Sequence, residues 1–229
     1  MKLPQTLWLV RHGESVANVA RHKAEAENLP AIDFPHREAD VPLSELGIGQ
    51  SIVVGKWFAA LSETDKPSHI YASPFTRTIE SVKLLVQAAG LPVEKIVADE
   101  RLRERELGIF DRLTKAGAVK KYPDECERRE RQGKYYYRPP GGESWCDVVL
   151  RLRSFWDDLR VNAAREKVLI VTHEVVIRCF RSIIENIGEK ELMEIDRASD
   201  IHNGAITGYY LEENTGKLIL SIDNILPGS

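Results

Sequence analysis

Three times along this chain a short apolar run rich in β-branched residues stops at a polar cluster and gives way to a helix-like stretch. Leu7-Trp8-Leu9-Val10 leads into Arg11-His12-Gly13-Glu14-Ser15, and Ile70-Tyr71-Ala72 leads into Ser73-Pro74-Phe75-Thr76-Arg77. Val168-Leu169-Ile170-Val171 leads into Thr172-His173-Glu174. Runs of this kind have no polar face to offer water, so as strands they must be covered on both sides. Ile79, Val82, Leu85, Val86 and Ala89 then recur at helical spacing, with Gly90 and Pro92 as stop signals. Val148, Leu152, Phe155, Trp156 and Leu159 do the same ahead of the third run. Strands and helices in alternation predict a three-layer α/β/α sandwich with a mostly parallel central sheet.

No repeat, low-complexity tract or Gly/Ser linker divides the 229 residues, so the reading is one domain over 1–229. Residues 111–142 break the alternation: they are rich in Lys and Arg, carry Tyr135-Tyr136-Tyr137, and end in Pro139-Pro140-Gly141-Gly142. They read as a partly helical excursion, either a solvated face or a substrate-facing lid. The 32 basic and 35 acidic residues give a net charge of −3, which offers nucleic acid or an anionic membrane no attracting field. No stretch approaches the roughly 18 apolar residues of a membrane span. The N-terminal apolar run breaks at Arg11 and makes no secretory core, so a cytoplasmic protein is expected. Three cysteines, Cys126, Cys146 and Cys179, without a CxxC pair argue against a disulfide framework or a cysteine-built zinc centre.

Ligands of open α/β sheets bind at the carboxyl ends of the strands. All three apolar runs end there in basic groups: Arg11 and His12, then Arg77, then His173. If the strands are neighbours, two guanidinium groups and two imidazoles meet in one crevice. Ser73-Pro74 reads as a helix N-cap followed by proline at the first helical position, which adds a positive dipole end to the same place. Such a crevice suits a phosphate dianion, since arginine forks pair bidentately with its oxygens.

Signatures of other chemistry fail. His173-Glu174-Val175-Val176-Ile177 begins like HExxH without the second histidine, and Gly47-Ile48-Gly49 has no strand before it. Gly142-Glu143-Ser144-Trp145 is not a nucleophile elbow. Histidine is the remaining nucleophile: a neutral imidazole attacks phosphorus and leaves a phosphohistidine for water to hydrolyse. No metal or organic cofactor is called for, because arginines supply the charge that magnesium would otherwise bring.

Leu9-Val10-Arg11-His12-Gly13-Glu14-Ser15, with Asn18 beyond it, resembles the first motif of the histidine phosphatase superfamily, which includes the cofactor-dependent phosphoglycerate mutases. The likeness continues through Leu43–Gln50, through Ser73-Pro74-Phe75-Thr76-Arg77 and through Leu102-Arg103-Glu104-Arg105-Glu106-Leu107-Gly108. Val171-Thr172-His173 and Asn203–Thr207 complete it. The resemblance implies a phosphoglycerate mutase-like fold. It implies His12 as the phosphorylated nucleophile, with Arg11, Arg77 and His173 holding the phosphoryl group and Ser15 and Asn18 lining the pocket. Glu104 would be the general acid, with Glu106 as the alternative. His12 must then present an unprotonated nitrogen, which the two arginines favour, and Glu104 must stay protonated near neutrality through burial or the charge of bound phosphate.

Mutases that this chain resembles usually carry a longer proline-rich insertion before the Gly142-Glu143-Ser144 position. The short form here looks closer to the fructose-2,6-bisphosphatase domain and bacterial relatives, where the positions of Lys134, Glu174 and Arg178 contact a sugar bisphosphate. Glu174 stands where that branch typically has Gln, and a carboxylate there repels a second phosphate unless Arg178 neutralises it. Lys115 and Tyr122 are candidate lid contacts, and residues 23–35 are a candidate pocket wall. The expected activity is hydrolysis of a small anionic phosphometabolite. Phosphoglycerate mutase or fructose-2,6-bisphosphatase is the alternative in the same class. A phospho-ligand-binding module without turnover is the alternative in another, with Glu174 as its argument.

Overall fold

The apolar runs become the middle of a sheet. The computed structural model describes residues 3–228, so Met1, Lys2 and Ser229, which the N-terminal and whole-chain readings include, lie outside the described residues. Six strands, β1 (Thr6–Arg11), β2 (His69–Ala72), β3 (Ile96–Ala98), β4 (Lys167–Thr172), β5 (Ile206–Glu212) and β6 (Lys217–Ile225), form one sheet in the order β3-β2-β4-β1-β5-β6. The first four run parallel, and β5 and β6 add an antiparallel edge. The three strands of the repeated layout are therefore immediate neighbours, with β4 between β2 and β1.

The described residues also form eight α-helices: α1 (Val16–Ala26), α2 (Glu45–Ala59), α3 (Thr76–Ala89), α4 (Lys115–Lys121), α5 (Pro123–Gln132), α6 (Trp145–Asn162), α7 (Glu174–Ile184) and α8 (Glu189–Ala198). Side chains alternate across a strand, and this sorts the core into two layers. Leu7, Leu9, Val168 and Ile170 pack with Leu152 and Phe155 of α6 and Ile177 and Phe180 of α7. Trp8, Val10, Leu169 and Val171 pack on the other face with Val54 and Phe58 of α2 and Val82, Leu85 and Val86 of α3. The α/β/α sandwich read from the sequence is the observed architecture.

Two local expectations meet different outcomes in these elements. Gly90 does end α3, in the left-handed conformation (φ 68°) that a residue without Cβ adopts freely. Ser73, however, does not cap α3: the helix opens at Thr76 behind Phe75, with no side-chain cap. Its hydroxyl oxygen lies 2.8 Å from His173 Nε2 and accepts the Phe75 N–H at 3.4 Å. From residues 23–35, Ala24, Ile32 and Phe34 are buried with Val41 in a small separate core, against which Val16, Ala17 and Ala20 pack.

Candidate active site

Strand register brings the site together. Arg11 pairs with Thr172 across β1 and β4, and Ala72 pairs with Val171 across β2 and β4. His12 and His173, the next residues along β1 and β4, therefore leave the sheet at the same level, with Ser73 one residue short of it. Backbone bonds extend the ladder one step beyond the strands, from His12 N–H to Thr172 O (3.0 Å) and from Ser73 N–H to Val171 O (3.1 Å). The loop after β1 is pressed against the start of α2. A Cβ on Gly13 would lie 2.3 Å from the Gly47 carbonyl oxygen, and one on Gly47 would lie 1.9 Å from that of Glu14. Neither position has room for a side chain, and this fixes the backbone on which His12 sits.

The hydrogen bonds of His12 define its tautomer. Arg77 Nε can only donate, and it lies 3.3 Å from His12 Nε2, so that nitrogen carries a lone pair. The proton resides on Nδ1, 2.7 Å from the Gly13 carbonyl oxygen that accepts it. Burial, followed by the nearby charges of Arg77 and Arg11, holds the His12 pKa well below 6.5. The imidazole is thus neutral at neutral pH, with Nε2 as its basic atom. His173, whose ring is 5.0 Å from that of His12, is kept neutral in the same way, by burial first and Arg77 next. Its Nδ1 accepts from Arg77 Nη2 (3.5 Å), which leaves Nε2–H to donate to Ser73 Oγ.

Each arginine has one edge closed by a carboxylate. Arg77 Nη1 donates to the Glu38 carbonyl oxygen (2.8 Å) and Nη2 to Glu38 Oε1 (2.9 Å), so its Nε edge is the one facing His12. Arg11 Nη1 meets Glu174 Oε2 at 3.2 Å and donates to the Ile201 carbonyl oxygen, while its buried Nε has no partner among the described residues. Glu104 lines the same crevice, and burial pushes its carboxyl above the ordinary 4.5 although Arg77, Arg11 and the Arg105 N–H (2.8 Å) pull the other way. A neutral histidine, two arginine edges and a carboxyl biased toward its acid form surround one cavity of about 460 Å3. This arrangement can take a phosphate dianion, accept phosphorus on nitrogen and protonate a leaving oxygen.

A family model described as the histidine phosphatase superfamily (branch 1) matches residues 7–224. The chain belongs to this superfamily. It is 29% identical over 188 residues to the fructose-2,6-bisphosphatase of Saccharomyces cerevisiae, a match covering 82% of this chain but 36% of that protein. It is 28% identical over 193 residues to a 2,3-bisphosphoglycerate-dependent phosphoglycerate mutase of Gloeobacter violaceus, covering 83% of this chain and 80% of the mutase. Among solved structures, Bacillus stearothermophilus YhfR superposes with a TM-score of 0.72 at 25% identity over 96% of both chains. The superfamily thus joins this chain to relatives named for hydrolysis and to relatives named for phosphoryl transfer.

Within the superfamily frame, Arg11, His12, Ser15, Asn18, Arg77, Glu104 and Glu174 all line the cavity, and buried His173 touches Arg77 at its base. Glu106 lines it as well. Ser15 and Asn18 are also structural, closing a capping box on α1 in which Asn18 Oδ1 accepts from Ser15 N–H at 3.0 Å. Lys134 stands outside the lining: its Nζ is paired with Asp196 and lies 5.1 Å over the Trp145 ring. Arg178 is buried behind the wall, where it holds Glu174 Oε1 (3.1 Å) and the carbonyl oxygens of Ile195 and Ser199.

Of the 111–142 excursion, Asp111 and Arg112 line the crevice, whereas Lys115, Tyr122 and helices α4 and α5 do not. Residues 23–35 do contribute a wall, through Glu25, Ile32 and Phe34. Sequence reasoning missed Glu38, which opens a 3-10 helix of three residues (Glu38–Asp40), too short for any periodicity to mark it. It also missed Ser81, which accepts the Gly13 N–H at 3.0 Å and has only its helical position as a signal.

Proposed function

We propose that the chain is a phosphomonoesterase that works through a phosphohistidine on His12 and acts on a small phosphorylated metabolite. The observation that carries this reading is the single tautomer of His12, with its proton committed to Gly13 and a basic Nε2 between the arginines and Glu104. In the first step Nε2 forms the N–P bond, the ester P–O bond breaks, and the Glu104 carboxyl gives its proton to the leaving oxygen. The resulting imidazolium keeps its Nδ1–H on the Gly13 carbonyl, which disperses its charge. In the second step the Glu104 carboxylate takes a proton from water, the water oxygen attacks phosphorus, and the N–P bond breaks. Inorganic phosphate leaves and both groups return to their starting state. The Nε edges of Arg11 and Arg77 face the charge that develops on the transferring oxygens, usually the largest single contribution to such a reaction. His173, neutral and braced by Ser73, holds the far side of Arg77.

The test is a single turnover with radiolabelled phosphate donors, comparing the protein with His12→Ala. An acid-labile, base-stable adduct that forms only in the unaltered protein and decays to inorganic phosphate supports the proposal. Return of label mainly to phosphoglycerate means a mutase. Binding without labelling by any donor means a module without turnover.

A further inference from the structure

We infer that the site selects phosphate monoesters of uncharged alcohols and rejects substrates that carry a second anionic group, with Glu38 and Glu174 as the specificity-determining residues. This rests on the phosphatase reading above and adds the substrate class.

Three observations converge. First, both arginines already meet a carboxylate: Glu38 closes the Nη edge of Arg77, and Glu174 meets Nη1 of Arg11. What these two guanidinium groups have left over serves one phosphoryl group at His12. Second, Arg178, the residue that could have turned the Glu174 position into a second phosphate site, is buried behind the wall, where it faces Glu174, the carbonyl oxygens of Ile195 and Ser199 and, at 3.6 Å, Asp196 Oδ1. Third, the rest of the crevice is acidic. Six carboxylates other than Glu104 line it against five arginines, so the bound phosphate dianion adds to a surface with no positive excess. Of the outer arginines, Arg112 is spent on the carbonyl oxygens of Phe34 and His36 and lies over the Phe34 ring at 4.3 Å. Arg21 and Arg105 are the exceptions: neither guanidinium has a hydrogen bond or ion pair among the described residues, and the Arg105 Nε is buried. These two are the cations able to receive a second anion. Between the charges, Ile32, Phe34, Phe75 and Val175 offer apolar surface to an uncharged leaving group.

Two substrate pairs isolate the charge. Glycerol phosphate and phosphoglycerate differ by one carboxylate at nearly equal size, and fructose 6-phosphate and fructose 2,6-bisphosphate differ by one phosphate. For two like charges about 8 Å apart near a protein surface, the repulsion corresponds to roughly a tenfold to thirtyfold preference. We expect kcat/KM to favour the singly anionic member of each pair by that factor. Glu38→Gln keeps an oxygen for Arg77 and removes the charge, and Glu174→Gln does the same for Arg11. Each should narrow the preference severalfold, and the double variant should abolish it.

The two readings fail differently. If no monoester labels His12, the phosphatase reading falls. If monoesters turn over but the ratios are equal in the unaltered protein and in both variants, only the charge selection falls. A preference for the bisphosphate that Arg21→Gln or Arg105→Gln removes would also overturn it, and would assign the second anion to that arginine.

Discussion

Arg77 Nε stands 3.3 Å from His12 Nε2, so the cation meant for phosphate also holds open the lone pair that attacks it. The pairing has a measurable consequence. Both burial and the Arg77 charge depress the His12 pKa, burial the more strongly. Removing the guanidinium in Arg77→Ala takes away one depressing charge, so the His12 pKa should rise but stay below 6.5. NMR titration of the His12 ring in the free protein would show this. Turnover should fall about 10²- to 10³-fold with the loss of a preorganised donor. A titration unchanged by the substitution would mean that Arg77 does not act on His12.

Glu104 should reveal itself through the leaving group. Burial raises its pKa above 4.5, so the acid form required for the first step persists to higher pH than in an ordinary glutamate. The kcat/KM profile should fall on the alkaline side as this carboxyl ionises. Glu104→Gln should erase that limb and slow alkyl phosphates by about 10²- to 10⁴-fold. An aryl phosphate with a nitrophenolate leaving group needs little protonation and should suffer far less. Equal losses for both esters would shift the acid role to Glu106.

Much of this site is legible in the sequence, because strands covered on both faces leave a plain apolar signature and the polar cluster at the end of each one is chemically distinctive. Arg11, His12, Arg77 and His173 come from such strand ends and converge as expected. What is not legible depends on contacts without a local pattern. Glu38 reaches Arg77 across 39 residues from a 3-10 helix of only three residues. Lys134 turns to Asp196, which is 62 residues away in α8, and not into the crevice. The Ser73-Pro74 pair carries a true helix-start signal, yet α3 opens two residues beyond Pro74, and the Ser73 oxygen serves both His173 and the Phe75 N–H ahead of the helix.

The buried histidines make acid stability a second readout. The folded pKa of His173 lies well below 6.5, its unfolded value, so below pH 6.5 the unfolded chain binds the extra proton. Stability is therefore lost as pH falls from 6.5 toward the folded pKa, at about 1.4 kcal/mol per pH unit for each such histidine. Glu38 and Glu104 have raised pKa values and act in the opposite sense above 4.5, so the informative quantity is a difference. His173→Gln should flatten the slope of unfolding free energy against pH by about one proton's worth relative to the unaltered protein. Parallel slopes would show that His173 is protonated in the fold.

The contact between Gly13 and Gly47 should tolerate nothing larger. Alanine at Gly13 would bring its Cβ to 2.3 Å from the Gly47 carbonyl, and alanine at Gly47 would bring its own to 1.9 Å from Glu14 O. Both obstacles are backbone, so the loop and α2 must separate. Overpacking of this kind costs typically about 1–3 kcal/mol, and it moves the segment that carries His12. Urea unfolding should register the cost. Turnover should fall even where the variant is folded, and full activity at reduced stability would show that the loop absorbs the strain without displacing the imidazole.

Arg178 gives a stability prediction separate from the chemistry. It is 1% exposed and places its guanidinium among Glu174 Oε1 and the carbonyl oxygens of Ile195 and Ser199, tying α7 to the end of α8. Removing one partner of a buried pair leaves the other groups without donors, a loss of about 3–5 kcal/mol when both are fully buried. Glu174 is 25% exposed and water can relieve part of this, so Arg178→Ala should cost somewhat less, about 2–3 kcal/mol in urea unfolding. Lysine has one point charge in place of a planar fork and cannot reach these three acceptors and Asp196 Oδ1 (3.6 Å) together, so Arg178→Lys should recover less than half. Full recovery by lysine would mean that charge alone, and not the shape of the fork, holds the two helices together.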